Sequence, residues 1–361
     1  VVGAAAHGLS SSDQSRTLAA SGKGWDEMTK TRWMFGRALL IALAALLTFV
    51  SGAWGALALW YQLPGGTVGR SAGSAVWVLL VIALVVAAIS RRSWMPLGVY
   101  AVTYGVLLLW WASISPSNHR VWADDVARML TGTVQGSEVT LQNVRDFSWR
   151  SNSDYDAHWE TRRYDLDRLA TADAVLSYWG SQAIAHAMIS FGFDDGSHVV
   201  FSVEIRKKRG DQYSSVGGFF RQFETILVAA DERDIIRVRT NVRGEDDYLY
   251  PLRMDKPTMR ALFLSYVQAA NKLATTPAFY NTLTSNCTTI VYRMARQIDP
   301  GLPWDMRLLL TGYLPEYLYK VGALDHALSV EQWRQRARIT DRARNSATGG
   351  DFSKAIRATP P

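Results

Sequence analysis

Three stretches of the chain, residues 38–69, 71–90 and 93–118, contain no Asp, Glu, Lys or Arg. Each holds an apolar core of the roughly 20 residues that a membrane-spanning helix needs. The pattern predicts spans near 38–62, 73–90 and 95–114, with Trp33, Trp60, Tyr61, Trp94, Trp110 and Trp111 at their ends as an interfacial belt. The first span is followed by more apolar sequence rather than by a cleavage site and a soluble domain, so it reads as an anchor and not as a signal peptide.

Beyond residue 115 the periodicities are those of a folded domain. Residues 134–143 alternate like a strand, and 184–206 contain two alternating runs around Asp194-Asp195-Gly196, a hairpin signal. Further strands are predicted at 224–229 and 235–240, and a helix over 257–274 with Pro257 in its first turn. The expected organisation is a disordered cytoplasmic segment (1–32), three transmembrane helices (33–115), a periplasmic domain (116–340) and a loose polar tail (341–361).

Charge supports the topology and removes one function class. The net charge of +7 is concentrated in residues 1–115, with eight basic against three acidic side chains, whereas the remainder has 31 against 29. Arg16, Lys23, Lys30, Arg32 and Arg37 precede the first span, and Arg91 and Arg92 separate the second from the third. By the positive-inside rule these lie in the cytoplasm, so three crossings put the C-terminal domain outside, in a bacterium the periplasm. No basic, aromatic-interleaved stripe marks the domain, which argues against nucleic acid.

Cys287 is the only cysteine, so no intramolecular disulfide is possible, and an exported free thiol is a liability unless buried or used. It stands at a predicted helix start: Thr282, Thr284, Ser285 and Asn286 are capping types, and Ile290, Val291, Met294, Ala295 and Ile298 recur with helical spacing. Unpaired N–H groups and the helix dipole stabilise a thiolate there. The plainer reading is a small buried core cysteine.

The hairpin supplies a partner. Ala187, Ile189, Phe191, Phe193, Val199, Phe201, Val203 and Ile205 form one apolar face, and the other carries His186, Met188, Ser190 and Gly192 against His198, Val200, Ser202, Glu204 and Arg206. With the turn centred on Asp195, paired positions sum to 390, which sets His186 opposite Glu204 and Ser190 opposite Val200. A carboxylate there fixes the tautomer of a general base and stabilises its protonated form. His198, Ser202 and Arg206 are the alternatives for this third position, and the competing reading is the solvated face of an edge hairpin. Asn286, Ser190, Trp179 and Arg145 are candidates to line the site. His119, His158 and His326 have no metal-ligand spacing, and neither a metal nor a cofactor is expected.

The segments NVRDFSWR (143–150), Tyr178-Trp179 with AHAMISFGF (185–193), SVEIRKKRGDQYS (202–214), FRQFE (220–224), ADERDIIRVRTN (230–241) and YNTLTSNCTTI (280–290) resemble the bacterial Lnb N-terminal periplasmic domain family. The resemblance covers about 120–325. It implies an α+β, permuted papain-like (NlpC-like) domain with an antiparallel sheet and a cysteine-bearing helix, the histidine hairpin preceding that helix. It also implies Cys287 as nucleophile and His186 as its base. The family's named activity is acylation of the N-terminal amine of lipoproteins, and that member has its membrane helices after the periplasmic domain, whereas here three spans precede it.

Three functions follow as expectations: a cysteine acyltransferase on membrane lipid or lipoprotein working through an acyl-thioester, a murein peptidase or lipase of the same chemistry, and a non-catalytic envelope binding domain. Fewer than about ten residues link the third span to the first folded turn, a reach of no more than roughly 35 Å. That favours substrates at the bilayer surface. Oligomeric state is not legible.

Overall fold

The computed structural model describes residues 11–346 and 351–358, with side chains from Arg32 onward. Two compact units divide at Ser115 and Pro116. The first is built from α1 (Ser11–Gln62), α2 (Gly66–Arg91) and α3 (Met95–Ser113). Arg32–Gln62, Gly66–Arg91 and Met95–Ser113 are long and apolar enough to cross a membrane. Small residues let these helices approach: a Cβ on Gly52 would meet Val81, and one on Gly55 would meet Trp77 and Leu107. Trp77 donates its indole N–H to the Gly52 carbonyl at 2.9 Å, and Ser51 Oγ lies 2.7 Å from the Tyr100 hydroxyl. Residues 1–10 of the segment expected to be disordered lie outside the described residues. From Ser11 the backbone is helical, a correction explained by continuity with the first span, since extending a formed helix avoids the cost of nucleation.

The second unit is α+β. Its strands are β1 (Thr131–Gln135), β2 (Glu138–Arg145), β3 (Ser148–Trp149), β4 (Tyr155–Asp156), β5 (Trp159–Asp165), β6 (Leu169–Tyr178), β7 (Ala185–Phe193), β8 (His198–Arg206), β9 (Glu224–Ala230) and β10 (Asp246–Pro251). The main sheet runs β1-β2-β9-β8-β7-β6-β10 with β5 also on β2, and β3 pairs β4 separately. The sheet is mixed rather than purely antiparallel, because β2 meets β9 in parallel at Arg145 and Ala230. Asp231, one residue on, donates its N–H to the Arg145 carbonyl at 2.9 Å.

Its helices are α4 (Glu232–Arg237), α5 (Lys256–Thr275), α6 (Cys287–Ile298), α7 (Leu314–Lys320), α8 (Val330–Ala337), α9 (Thr340–Asn345) and α10 (Phe352–Arg357). Asp255 caps α5 by accepting from the Thr258 N–H at 2.8 Å, and Pro257 fits the first turn. The helix lays Phe263 and Tyr266 on Phe191, Phe201 and Val203, so the apolar face of the hairpin is one wall of the main core.

The other hairpin face is also covered, and the edge-hairpin alternative does not apply. β7 and β8 are interior strands, and Met188 and Val200 join Ile235, Ile236, Ala343, Phe352 and Ile356 in a second core. Two local assignments change with it. Residues 235–240 are not a strand: Asp231 caps α4 by accepting from the Arg233 N–H, and the chain runs on through a π-helical turn at Val238–Arg243. Residues 134–143 are not one strand but parts of two, joined by a turn at Gly136, whose φ of 64° suits glycine.

The loose tail is likewise corrected as far as Arg357. Phe352 and Ile356, one helical turn apart, are buried, and Arg357 bridges Glu232 and Asp173 at 2.7 Å each. Residues 347–350 and 359–361 lie outside the described residues.

Candidate active site

Local capping places Cys287 at the first position of α6. The Asn286 side chain accepts from the N–H groups of Thr288 and Thr289 at 3.0 and 2.8 Å, and Thr289 Oγ1 accepts from the Asn286 N–H at 2.9 Å. This reciprocal cap satisfies two of the first amides and leaves the Cys287 N–H directed at the Tyr280 hydroxyl. The thiol is buried, with Thr288 Oγ1 3.8 Å from Sγ.

The strand register brings the base to it. β7 and β8 pair Met188 with Ser202, Ser190 with Val200 and Gly192 with His198, each pair summing to 390 as the turn residues predict. His186 Nε2 is 3.1 Å from Glu204 Oε1 and 2.7 Å from Ser202 Oγ, and Ser202 donates to the same carboxylate oxygen at 2.8 Å. With Nε2 so occupied, Nδ1 is left to face Cys287, whose side chain interacts with the imidazole. The Ala187 N–H also points at the sulfur.

Electrostatics follow from this arrangement. Burial pushes the Cys287 thiol up, but the His186 charge and hydrogen bond more than offset it, and the thiol lies below its ordinary value. Burial would lower His186, yet the Glu204 carboxylate, with Cys287, raises it to about 9 despite Arg239 nearby. Burial would raise Glu204, but His186 and Arg239 hold it well below the usual carboxylate range. The two groups therefore bias each other toward the charged forms, the thiol downward and the imidazole upward.

Ser202 and Glu204 thus share the position beside His186. The remaining candidates lie elsewhere. His198 Nδ1 faces the Gly196 carbonyl at the hairpin turn. Arg206 binds the Val126 and Ala127 carbonyls and Asn118 Oδ1, with its guanidinium over Trp122. Ser190 donates to Glu232 at 2.5 Å, and Arg145 holds Asp234 in a buried two-point ion pair. Trp179 borders an open cleft of about 680 Å³ with Tyr178, Tyr313 and Arg334, and its ring meets Tyr213 edge-on. Ligand-type atoms of Asp146, His158 and Glu160 lie within 4.8 Å of one another, but Arg233 and Arg162 already neutralise the two carboxylates.

Three residues of the site carry no periodic signal, although Arg239 and Tyr280 lie within the resembling segments 230–241 and 280–290. Arg239, buried on the π-helical turn, donates to Glu204 Oε1 at 2.9 Å and to Glu245 Oε2 at 3.1 Å. Glu245 is the second acceptor. Tyr280, pushed up by burial and the neighbouring Cys287, stays a neutral hydroxyl at the Cys287 N–H. An apolar cavity of about 400 Å³ lies between β7, α5, α6 and α7, walled by Ala187, Ile189, Thr288, Val291, Leu314 and Leu318 among others, with neither Cys287 nor His186 in its lining.

Residues 155–312 match the model of the Lnb N-terminal periplasmic domain family. The match contains His186, Ser202, Glu204, Arg239, Tyr280 and Cys287, and the three apolar helices lie N-terminal to it. The match and the three apolar helices together support a membrane protein with a periplasmic domain of this kind. Comparison with curated proteins and with solved structures gave no match.

Proposed function

We propose that this protein is a cysteine acyltransferase anchored in the bacterial inner membrane, with its catalytic domain at the periplasmic face and a permuted papain-like arrangement of histidine hairpin and cysteine helix. The Cys287 thiolate attacks the carbonyl carbon of a lipid ester, forming the S–C bond. The Tyr280 hydroxyl, held by the Cys287 N–H, donates to the developing oxyanion. The ester C–O bond then breaks, and the His186 imidazolium protonates the departing alcohol oxygen. An amine of the acceptor, such as a lipoprotein N-terminus, attacks the thioester carbon, gives a proton to His186, and releases the thiolate as the C–S bond breaks.

The observation that carries the acyl reading is the apolar cavity. Its volume of about 400 Å³ falls in the roughly 300–1,000 Å³ range of small-molecule sites, and it runs along β7 and α6, the two elements that carry His186 and Cys287. A hydrocarbon chain fits the largely apolar lining, whereas a polar murein peptide would lose most of its hydration against only a few polar groups, Arg253, Asp255 and Asp299 among them.

The test is an intact mass spectrum of the full chain after incubation with phosphatidylethanolamine/phosphatidylglycerol vesicles. An acyl mass on Cys287, absent in Cys287→Ser and released by an added amine, is the expected result. Fatty acid released to water without dependence on amine would favour the hydrolase, and neither adduct nor release would favour the non-catalytic envelope domain.

A further inference from the structure

The loops around Cys287 close into a ring. Thr288 Oγ1 lies 3.1 Å from Thr311 Oγ1, and the Gly312 N–H donates to the Ala183 carbonyl at 3.1 Å. From that β6–β7 loop, Trp179 meets Tyr213 on the β8–β9 loop with ring centroids 6.4 Å apart. The β8–β9 loop returns to the cysteine segment, where Thr282 Oγ1 donates to the Ser215 carbonyl and Asn286 Nδ2 donates to the Thr282 carbonyl.

This ring is where the second unit exposes its large apolar side chains. Of the eleven such residues exposed among its described residues, nine lie on these loops, Ile184, Tyr213, Phe219, Leu283, Met306 and Leu310 among them. Only Val121 and Val134 lie elsewhere, so the exposure is a rim around the nucleophile and not the single scattered residues of an ordinary surface.

We infer that this rim docks into the outer surface of an anionic lipid bilayer, seating the mouth of the Cys287 site among the headgroups. The adjoining membrane spans select that occupant, and residues 207–221 of the β8–β9 loop add a small basic excess: Lys207 and Arg209 pair with Asp125 and Asp124, while Lys208 and Arg221 stand against Asp211 on either side of Tyr213, Val216 and Phe219. Basic groups at the headgroups with aromatic and aliphatic groups just below is the distribution of an interfacial surface. The short covalent link to the third apolar helix keeps a bilayer within reach of the domain at all times. The inference deepens the acyltransferase reading by naming how the site meets its lipid, yet it rests on surface residues outside the Cys287–His186 pair.

The test uses the full chain with Cys287→Ser, reconstituted in phosphatidylethanolamine/phosphatidylglycerol vesicles containing doxyl-labelled lipid. Single cysteines at Phe219, Leu283 or Leu310 on the rim, and at Ser153 or Asp195 away from it, carry an environment-sensitive fluorophore. Asp195 is at the opposite end of the hairpin from His186, so it serves as the water-exposed reference. Blue-shifted emission and quenching by doxyl lipid at the rim, with neither at Ser153 and Asp195, is expected. Rim labels as unquenched as the references would overturn the inference and turn the rim toward a protein partner. Since this background has no nucleophile, quenched rim labels alongside a missing acyl adduct in the wild-type chain would sink the acyltransferase reading alone.

Discussion

The Arg239 guanidinium donates at 2.9 Å to Oε1 of Glu204, the carboxylate oxygen that also stands 3.1 Å from His186 Nε2. A single buried oxygen thus serves both the base and a permanent cation. Arg239 keeps Glu204 ionised, and the ionised Glu204 keeps His186 protonated beside Cys287. The pair is stabilised by a charge chain that reaches beyond it to Glu245.

Removing members of that chain has separable effects. Cys287→Ser or His186→Ala is expected to abolish turnover, while Glu204→Gln keeps the fold and weakens activity. The double variant Cys287→Ser/Glu204→Gln should be no worse than Cys287→Ser, because residues acting as a unit are not additive. Arg239→Met leaves the half-buried Glu204 and Glu245 without their cation and should cost about 2–3 kcal/mol in denaturant unfolding. An unchanged unfolding midpoint would contradict the buried pairing.

The pH dependence has a definite sign. Cys287 lies below its ordinary value of 9.0, so alkylation by a neutral reagent should set in at lower pH than for an ordinary thiol, and His186→Ala should move that acid limb upward. Turnover needs the imidazolium and should fall as pH rises through about 9. Stability follows the same groups. The raised His186 contributes fully below 6.5 and loses its contribution as pH rises through about 9, whereas the depressed Glu204 contributes above 4.5 and loses it as pH falls through its folded value. Rates and unfolding free energies measured across this range check both limbs.

Orientation is tested by labelling. In right-side-out membrane vesicles an impermeant maleimide should reach Leu283→Cys, beside the site, and leave Arg92→Cys untouched, both in a Cys287→Ser background. Labelling of residue 92 alone would place the domain in the cytoplasm and remove the access to lipoprotein on which the proposed acceptor depends.

The C-terminal helix has its own test. Arg357 is the cation between Glu232 and Asp173, both buried, so Arg357→Ala should destabilise the domain by about 3–5 kcal/mol, whereas Lys354→Ala, one turn earlier and outside this bridge, should change little. Equal unfolding curves for the two variants would mean that the tail is not part of the fold.

The sequence by itself determined what depends on neighbours along the chain. The three spans follow from uninterrupted apolar length, the cysteine's place at a helix start from its capping residues, and the hairpin register from Asp194-Asp195-Gly196 and a side-chain period of two. These features are local, so no knowledge of the rest of the fold is needed. The tertiary structure decided what depends on distant partners. It turned an apparent edge hairpin into two interior strands, because α4, α9 and α10 cover the face that looked solvated. It made 235–240 a helix, because an Asp231 cap outweighed an alternating pattern. It also brought Arg239 and Tyr280 to the site, since a buried charge finds its partner through space and leaves no periodic trace in the sequence.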